Sequence, residues 1–454
     1  MDCKPLTDDR SAGPSRAGVF ILSLLLSAAS AAPAQEKAVE ERFTLENGLE
    51  VILKPADRLD LAACLIGYRA GVVNEPPERH GLAHLVEHLV FRAATTSFKA
   101  GEAEKAQTAA GPFGKPFIDA NAETLHDFTY YYSICAPEKL EQALQIEAER
   151  MRTCEFTKEL LDAERVRALE EVAATFKNPA AVAYHTALDL TYAKLRYRLP
   201  KVGGAESMKA ATLDEARAFY ETWYRPNNAV LIIYGKFNAA NVKDAIKEHF
   251  GPYSKAELPK VEMPDEPERK GQRAVVKGDV KQLMMTWLAA PNGTKEKAAI
   301  MAAICHLLRS RGKIHEHGRD VFLFEEVFNR GRSMTVLSAA LTVDADPDAA
   351  ADAVQEWLDA FTIDEKKLDA ARTSLRNEFS GNDVFPLGFI PKEKKERYAS
   401  SLVQIAINRM RAESAGHGRI EELLKLVDAL TVDDVTAAVK KHFSKGRANI
   451  VIVR

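Results

Sequence analysis

His84 and His88 stand four residues apart in Gly81-Leu82-Ala83-His84-Leu85-Val86-Glu87-His88-Leu89, with Glu87 between them. On an α-helix, residues four apart share a face, one turn above the other, so two imidazoles at this spacing converge on one point. Neutral imidazole nitrogens ligate zinc at about 2.0–2.1 Å. Glu87 follows His84 by three residues and lies on the flank of the same face. From there a carboxylate reaches a fourth, water-occupied position without binding the ion. This is the pattern H-x-x-E-H, the reverse order of H-E-x-x-H. The plainer alternative is a surface helix with solvated histidines. It fits poorly, because Leu82, Leu85, Val86 and Leu89 are apolar and would bury the segment. A chance match in a chain of this length is expected on the order of one time in a hundred.

A catalytic zinc takes a third protein ligand and keeps one position open. The acidic helical stretch Asp162-Ala163-Glu164-Arg165-Val166-Arg167-Ala168-Leu169-Glu170-Glu171-Val172 is the best source. Glu164 and Glu171 are seven apart, two turns along one face. One can ligate while the other orients a ligand from behind. Spacing alone leaves Glu170 in play as well. His315-Glu316-His317 has metal-like composition, but residues two apart splay on a helix and oppose on a strand, so it reads as a charged loop. His80 and His126 have no partner at ligand spacing and read as surface or loop residues.

The elements around these residues are legible in part. Phe43 to Leu53 reads as two short strands about an Asn47-Gly48 turn, the dipeptide that supplies the positive φ a tight hairpin needs. Leu61 to Tyr68 is an apolar strand, and the helix carrying the histidines runs from about Arg79 to Phe91. The stretch from Ala100 to Pro116 is punctuated by Gly and Pro. Thr129 to Cys135 is strand-like, and Glu138 to Met151 is periodic in the helical sense.

An internal echo organises the rest. Thr212-Leu213-Asp214-Glu215-Ala216 leads through a helix into Ala229 to Tyr234, and Thr431-Val432-Asp433-Asp434-Val435 leads likewise into Ala448 to Val453. The two segments align without a gap. Each opens on a Thr able to cap its helix, with an acid three residues later, and closes in a β-branched strand. A Pro-rich, charged stretch separates the halves. The expected fold is α+β: two homologous α/β-sandwich halves related by duplication, each a mainly antiparallel sheet with helices packed on it. The expected boundaries are 1–34 for a leader, 35–250 for the metal-binding half, 251–272 for the linker and 273–454 for the second half.

The 454 residues exceed one ordinary core, and 46% hydrophobic with 28% charged residues describes a globular chain. Acidic and basic side chains nearly balance, 65 against 62, so neither a nucleic-acid groove nor a polybasic membrane patch is expected. Lys4, Arg10 and Arg16 precede the apolar run Ala17 to Leu26, followed by Ala29-Ser30-Ala31 and Ala32-Pro33-Ala34. That is the layout of a secretory signal peptide, so the mature chain is expected to be exported, periplasmic or secreted, without a membrane span. Cys64, Cys135, Cys154 and Cys305 remain after the leader, with no C-x-x-C pair. Cys64 and Cys135 read as buried free thiols.

The chain resembles the pitrilysin, insulin-degrading enzyme and mitochondrial processing peptidase family, particularly its half-size bacterial members. The resemblance rests on Thr44-Leu45-Glu46-Asn47-Gly48-Leu49, Arg69-Ala70-Gly71, Glu75, Gly81 to His88, Asn121-Ala122-Glu123-Thr124, Thr129-Tyr130-Tyr131 and Trp223-Tyr224-Arg225-Pro226-Asn227-Asn228-Ala229. It implies one zinc per chain on His84, His88 and Glu171, with Glu87 as the catalytic acid–base and Glu164 as supporting carboxylate. It implies peptide hydrolysis, with Asn121, Ala122, Glu123 and Thr124 on the strand edge that binds substrate. One family feature is missing. Active members carry an Arg and a Tyr in the C-terminal half that bind substrate and the oxyanion. Val327 and Met334 stand in those places here. The resemblance therefore implies a heterodimer with a homologous zinc-free subunit that supplies them. Local replacement by Arg330 or Arg332 in a homodimeric peptidase, or a non-catalytic scaffold, are the alternatives.

Overall fold

The computed structural model describes residues 40–56, 60–115, 119–310, 316–325, 330–380, 406–407 and 420–454. The leader, Val327 and His315 lie outside them. The first half opens with the strands β1 (Glu41–Thr44), β2 (Glu50–Pro55) and β3 (Ala62–Tyr68), then the helices α1 (Leu82–Arg92) and α2 (Glu102–Ala110). The hairpin β4 (Ala120–Thr124) and β5 (Thr129–Cys135) follows, then α3 (Leu140–Arg152), α4 (Lys158–Lys177) and α5 (Pro179–Thr191). The short α6 (Ala205–Ala210), then α7 (Leu213–Trp223), β6 (Ala229–Gly235) and α8 (Ala239–Phe250) complete it. The second half contains β7 (Arg273–Val276), β8 (Gln282–Leu288), α9 (Lys295–Ser310), β9 (Gly318–Glu325) and β10 (Met334–Leu341). It continues with α10 (Pro347–Asp359), α11 (Glu365–Ser380), α12 (Ile420–Asp428), α13 (Val432–His442) and β11 (Asn449–Val453).

The first sheet has the order β1-β2-β6-β3-β5-β4, the second β7-β11-β8-β10-β9. Apart from the extra β1, the two orders coincide strand for strand. In each, the final strand of the half runs parallel to the first strand of this shared order, and all other pairings are antiparallel. The duplication is thus present in the topology. Its echo survives in local chemistry too: Thr212 and Thr431 each form a reciprocal capping box, with Glu215 and Asp434. Asn47-Gly48 makes its predicted turn, with Gly48 at φ 88°.

Strand residues alternate faces, and the sheet uses both. Val51, Leu53, Cys64 and Ile66 face α1, α3 and α7, whereas Ile52, Leu65, Val230 and Ile232 pack on the opposite side. The halves meet through α5, which packs on β8 and β11. Ala183, Ala187 and Leu188 of α5 share a core with Met284, Val451 and Val453. Within that seam Thr191 lies 2.9 Å from Thr286 and accepts from Asn449 at 3.1 Å. Residues 251–272 carry no helix or strand, but the segment is anchored: buried Glu266 accepts the amides of Ala193, Lys194 and Leu195 at 2.7–2.9 Å.

One expectation needs correction, and His126 meets its own only as a loop residue. The punctuated stretch after Ala100 contains a helix, α2, whose flanking Gly101 (φ 74°) and Gly111 mark its two ends rather than a loop. His126 occupies the β4–β5 turn but is buried, its Nε2 2.9 Å from the carbonyl of Leu199. No described helix is long and apolar enough to cross a membrane.

Candidate metal centre

Gly81 (φ 99°) precedes α1, and a Cβ there would lie 2.9 Å from Gly203 Cα, so glycine is required on both counts. Leu82, Leu85, Val86 and Leu89 are buried as their pattern demands, and they press α1 onto the sheet and against α4. Leu161, Glu164, Ala168 and Val172 form the buried face of α4. That face runs along α1 and brings the two acidic positions beside the two histidines.

The Nε2 atoms of His84 and His88 are 3.2 Å apart. Glu171 places one carboxylate oxygen 3.3 Å from His84 Nε2 and the other 3.6 Å from His88 Nε2. One donor atom from each of His84, His88 and Glu171 lies within 4.8 Å of the others. Glu170 is exposed and is not among the converging groups. His84 is buried and the Glu171 side chain is 55% exposed, so the position between them opens to solvent.

The hydrogen bonds behind the rings decide what the front can hold. His84 Nδ1 is 3.0 Å from the Val202 carbonyl, and His88 Nδ1 is 3.3 Å from Glu164. A carbonyl and a carboxylate only accept, so each Nδ1 carries a proton, and in the neutral ring each Nε2 presents a lone pair. Two lone pairs and a carboxylate facing each other at these distances repel unless a cation stands among them. The donor set therefore fits a divalent ion of zinc's type. Without an ion, burial, which favours the neutral form of His88, is outweighed by the Glu164, Glu171 and Glu87 carboxylates, which raise its pKa to about 10, so a proton on Nε2 stands in for the cation among these groups. Despite burial, the histidines hold Glu171 well below the usual carboxylate range.

Glu164 is buried, paired with Arg167 and 3.6 Å from Arg92 Nε, so three donors pin its carboxylate behind His88. Glu87 is also buried. Its Oε2 accepts from the Thr124 hydroxyl at 2.7 Å, which fixes the carboxylate on the flank of the cluster. Asn121, Ala122, Glu123 and Thr124 all lie on β4, at the end of the sheet. Among the described residues β4 pairs only with β5. Glu123 accepts from Tyr130 at 2.5 Å and pairs with Lys201.

Arg330 and Arg332 serve the seam between the halves. Arg330 donates its backbone amide to Asp127 at 2.9 Å and its guanidinium to the Arg69 carbonyl at 2.6 Å. Arg332 binds the Ala289 carbonyl at 2.8 Å and the Glu268 carboxylate at 2.5 Å. Met334 is fully buried at the start of β10. The contact from Val202 was not foreseeable from residue types, since a backbone carbonyl leaves no mark in the sequence.

Two family models match the chain, "Insulinase (Peptidase family M16)" over residues 51–200 and "Peptidase M16 inactive domain" over residues 210–375. The chain belongs to the M16 peptidase family. It is 28% identical to zinc protease PqqE of Helicobacter pylori over 240 residues, 52% of each chain. The matched region spans about half the length of such curated relatives. In structure it resembles a protease from Helicobacter pylori, with a TM-score of 0.74 at 20% identity, covering 92% of this chain and 100% of that one. It also resembles the periplasmic protease PqqL from Escherichia coli, with a TM-score of 0.70 at 18% identity, covering 94% of this chain and 48% of that one. The fold is that of an M16 peptidase half-molecule, and curated relatives carry the name zinc protease.

Proposed function

We propose that the protein is an exported zinc endopeptidase that hydrolyses peptides or small unfolded polypeptides. The observation that carries the reading is the convergence of two imidazole Nε2 atoms and a carboxylate, with a separate buried glutamate held beside them. His84, His88 and Glu171 hold the ion. Zinc supplies Lewis acidity, which activates water near neutral pH and polarises a scissile carbonyl. Glu87, oriented by Thr124, takes a proton from the attacking water and returns it to the departing amine. Glu164 keeps His88 in the Nδ1–H tautomer. The open edge of β4, at Asn121, Ala122, Glu123 and Thr124, accepts an extended peptide through backbone hydrogen bonds, which tolerates many side chains.

The chain acts in this reading as the metal-bearing subunit of a heterodimer. The burial of Met334 and the engagement of Arg330 and Arg332 in the seam support it, because none of these is left to serve a substrate. A homologous zinc-free subunit then brings the Arg and Tyr. Export, periplasmic or secreted, is read from the leader, and the description of PqqL as periplasmic supports it. The working boundaries are 35–250, 251–272 and 273–454, after a leader at 1–34.

The test measures zinc content and cleavage of a quenched fluorescent peptide by the mature chain, alone and with a homologous partner, beside Glu87→Gln. Bound zinc with activity only in the presence of the partner is the expected result. Full activity alone, abolished by Glu87→Gln, refutes the heterodimer and favours a homodimeric peptidase. No zinc and no activity under either condition leaves a scaffold.

A further inference from the structure

Helix α1 is held at both ends by buried charge. At its start the Glu75 carboxylate accepts the amides of Gly81 at 2.9 Å and Ala83 at 3.0 Å, two of the N–H groups a helix leaves without intrahelical partners. At its end Arg150 donates to the Phe91 carbonyl at 3.0 Å and pairs with Glu147 at 2.8 Å. A negative group at the N-terminus and a positive one at the C-terminus both match the helix dipole. Glu75, Arg150 and Glu147 are all buried.

The N-terminal clamp has a second partner. Arg196 donates to the other oxygen of Glu75 at 3.2 Å and, through Nε, to the Val72 carbonyl at 3.0 Å. Arg196 begins the segment 196–203, which then runs along the metal cluster. Its Pro200 carbonyl meets His80 Nε2 at 2.7 Å, and its Val202 carbonyl meets His84 Nδ1 at 3.0 Å. Gly203 closes it against Gly81, where a Cβ on Gly203 would lie 2.5 Å from Gly81 Cα. The segment and the first turn of α1 thus touch at both ends, through Arg196–Glu75 and through Gly203–Gly81.

We propose that Glu75 and Arg196 are positioning residues for the metal centre. Their ion pair sets the first turn of α1 against segment 196–203, so that the Val202 carbonyl holds the Nδ1 proton of His84 and leaves Nε2 free to ligate. Neither side chain touches the cluster. The inference rests on the zinc reading of His84, His88 and Glu171, and a cap that served stability alone would leave the His84 tautomer unchanged.

The test uses the mature chain and the variants Glu75→Gln, Glu75→Asp and Arg196→Lys. The first readout is the His84 tautomer in the metal-free protein, from histidine-selective nitrogen labelling and NMR. The second is zinc affinity by competition with a chelator. The wild type is expected to show a single Nδ1–H form of His84. Glu75→Gln, which turns an amide N–H₂ toward Arg196 or the helix amides, should populate the Nε2–H form and weaken zinc binding about ten- to a hundred-fold. Glu75→Asp and Arg196→Lys keep the charges and should fall between, which keeps the test usable if Glu75→Gln does not fold. Zinc affinities within two-fold of wild type with an unchanged tautomer in the folded variants would overturn the proposal. A wild type that binds no zinc but shows the tautomer shift in the variants would overturn the metal reading and leave the positioning role supported.

Discussion

Glu164→Gln tests the arrangement behind the proposed metal ligands most directly. The Glu164 carboxylate is 1% exposed and faces His88 Nδ1 at 3.3 Å, Arg92 Nε at 3.6 Å and the Arg167 guanidinium. An amide of the same size offers one accepting oxygen to these donors and turns its own N–H₂ toward another. Breaking a fully buried ion pair costs about 3–5 kcal/mol. Here Arg92 is 27% exposed and Arg167 48%, so water solvates part of what the carboxylate releases. About 1.5–3 kcal/mol of metal-free stability should therefore be lost. Separately, His88 loses the acceptor that holds its Nδ1 proton, and zinc affinity should fall about ten- to a hundred-fold, or ~1.4–2.7 kcal/mol. Denaturant unfolding of the metal-free protein and chelator competition on the loaded protein read the two effects independently. Wild-type zinc affinity together with a stability loss under about 0.5 kcal/mol would refute the role given to this carboxylate.

Thr124→Val keeps the shape of the side chain and removes the 2.7 Å donor to Glu87, a bond to a charged acceptor worth about 1.5–3 kcal/mol. Turnover of a peptide substrate should drop at least ten-fold while zinc content stays at parent level; unchanged kcat would show that the hydroxyl does not orient the base. His442 is buried on Thr335 at 2.9 Å. Burial, then the cations Arg447, Lys297, Arg332 and Lys441, hold its pKa down to about 3. Its neutral form is thus favoured in the fold. The stability it contributes is complete above the unfolded value of about 6.5 and is lost as pH falls toward 3, at up to ~1.4 kcal/mol per pH unit. Denaturation midpoints of His442→Gln should change less between pH 7 and pH 5 than those of the parent; equal slopes would count against this. Cys64, Cys135, Cys154 and Cys305 are all free, and burial pushes Cys135 and Cys154 up to about 12. All four should react with a thiol reagent in denaturant without reductant and almost none in the native state; two or fewer reactive thiols would reveal a disulfide.

The geometry of the cluster was legible where it depends on local periodicity. The spacing of His84, Glu87 and His88 sets their shared face once α1 forms, and the apolar residues around them ensure that α1 is buried. The Asn47-Gly48 turn and the two capping boxes are equally local, since the donors and acceptors lie within three residues of each other. Spacing also put Glu164 and Glu171 on one face, but it could not separate Glu171 from Glu170. The packing of α4 on α1 makes that choice by turning position 171 to the histidines and 170 to solvent.

Local pattern misread one place and left the burial of another unseen. Gly101 and Gly111 are punctuation in a one-dimensional reading, yet they frame α2, because a glycine can end a helix as readily as interrupt one. His126 lacks neighbours at ligand spacing, but residues some seventy positions away, at Tyr197 and Leu199, enclose it.

By itself, then, the sequence determined the chemistry available: two imidazoles and a glutamate on one helical face, a second acidic helix, and two halves built alike. The tertiary structure alone decided how that chemistry is tuned. The Nδ1 proton of His84 is held by the backbone of Val202, Glu87 is held by Thr124 from another element, and Glu75 caps α1 under the restraint of Arg196. Apart from the short step from Glu75 to Gly81, each of these contacts joins residues separated by tens of positions. Periodicity carries information only over the few residues that one turn of helix or strand spans, so such contacts exist only once the chain has packed.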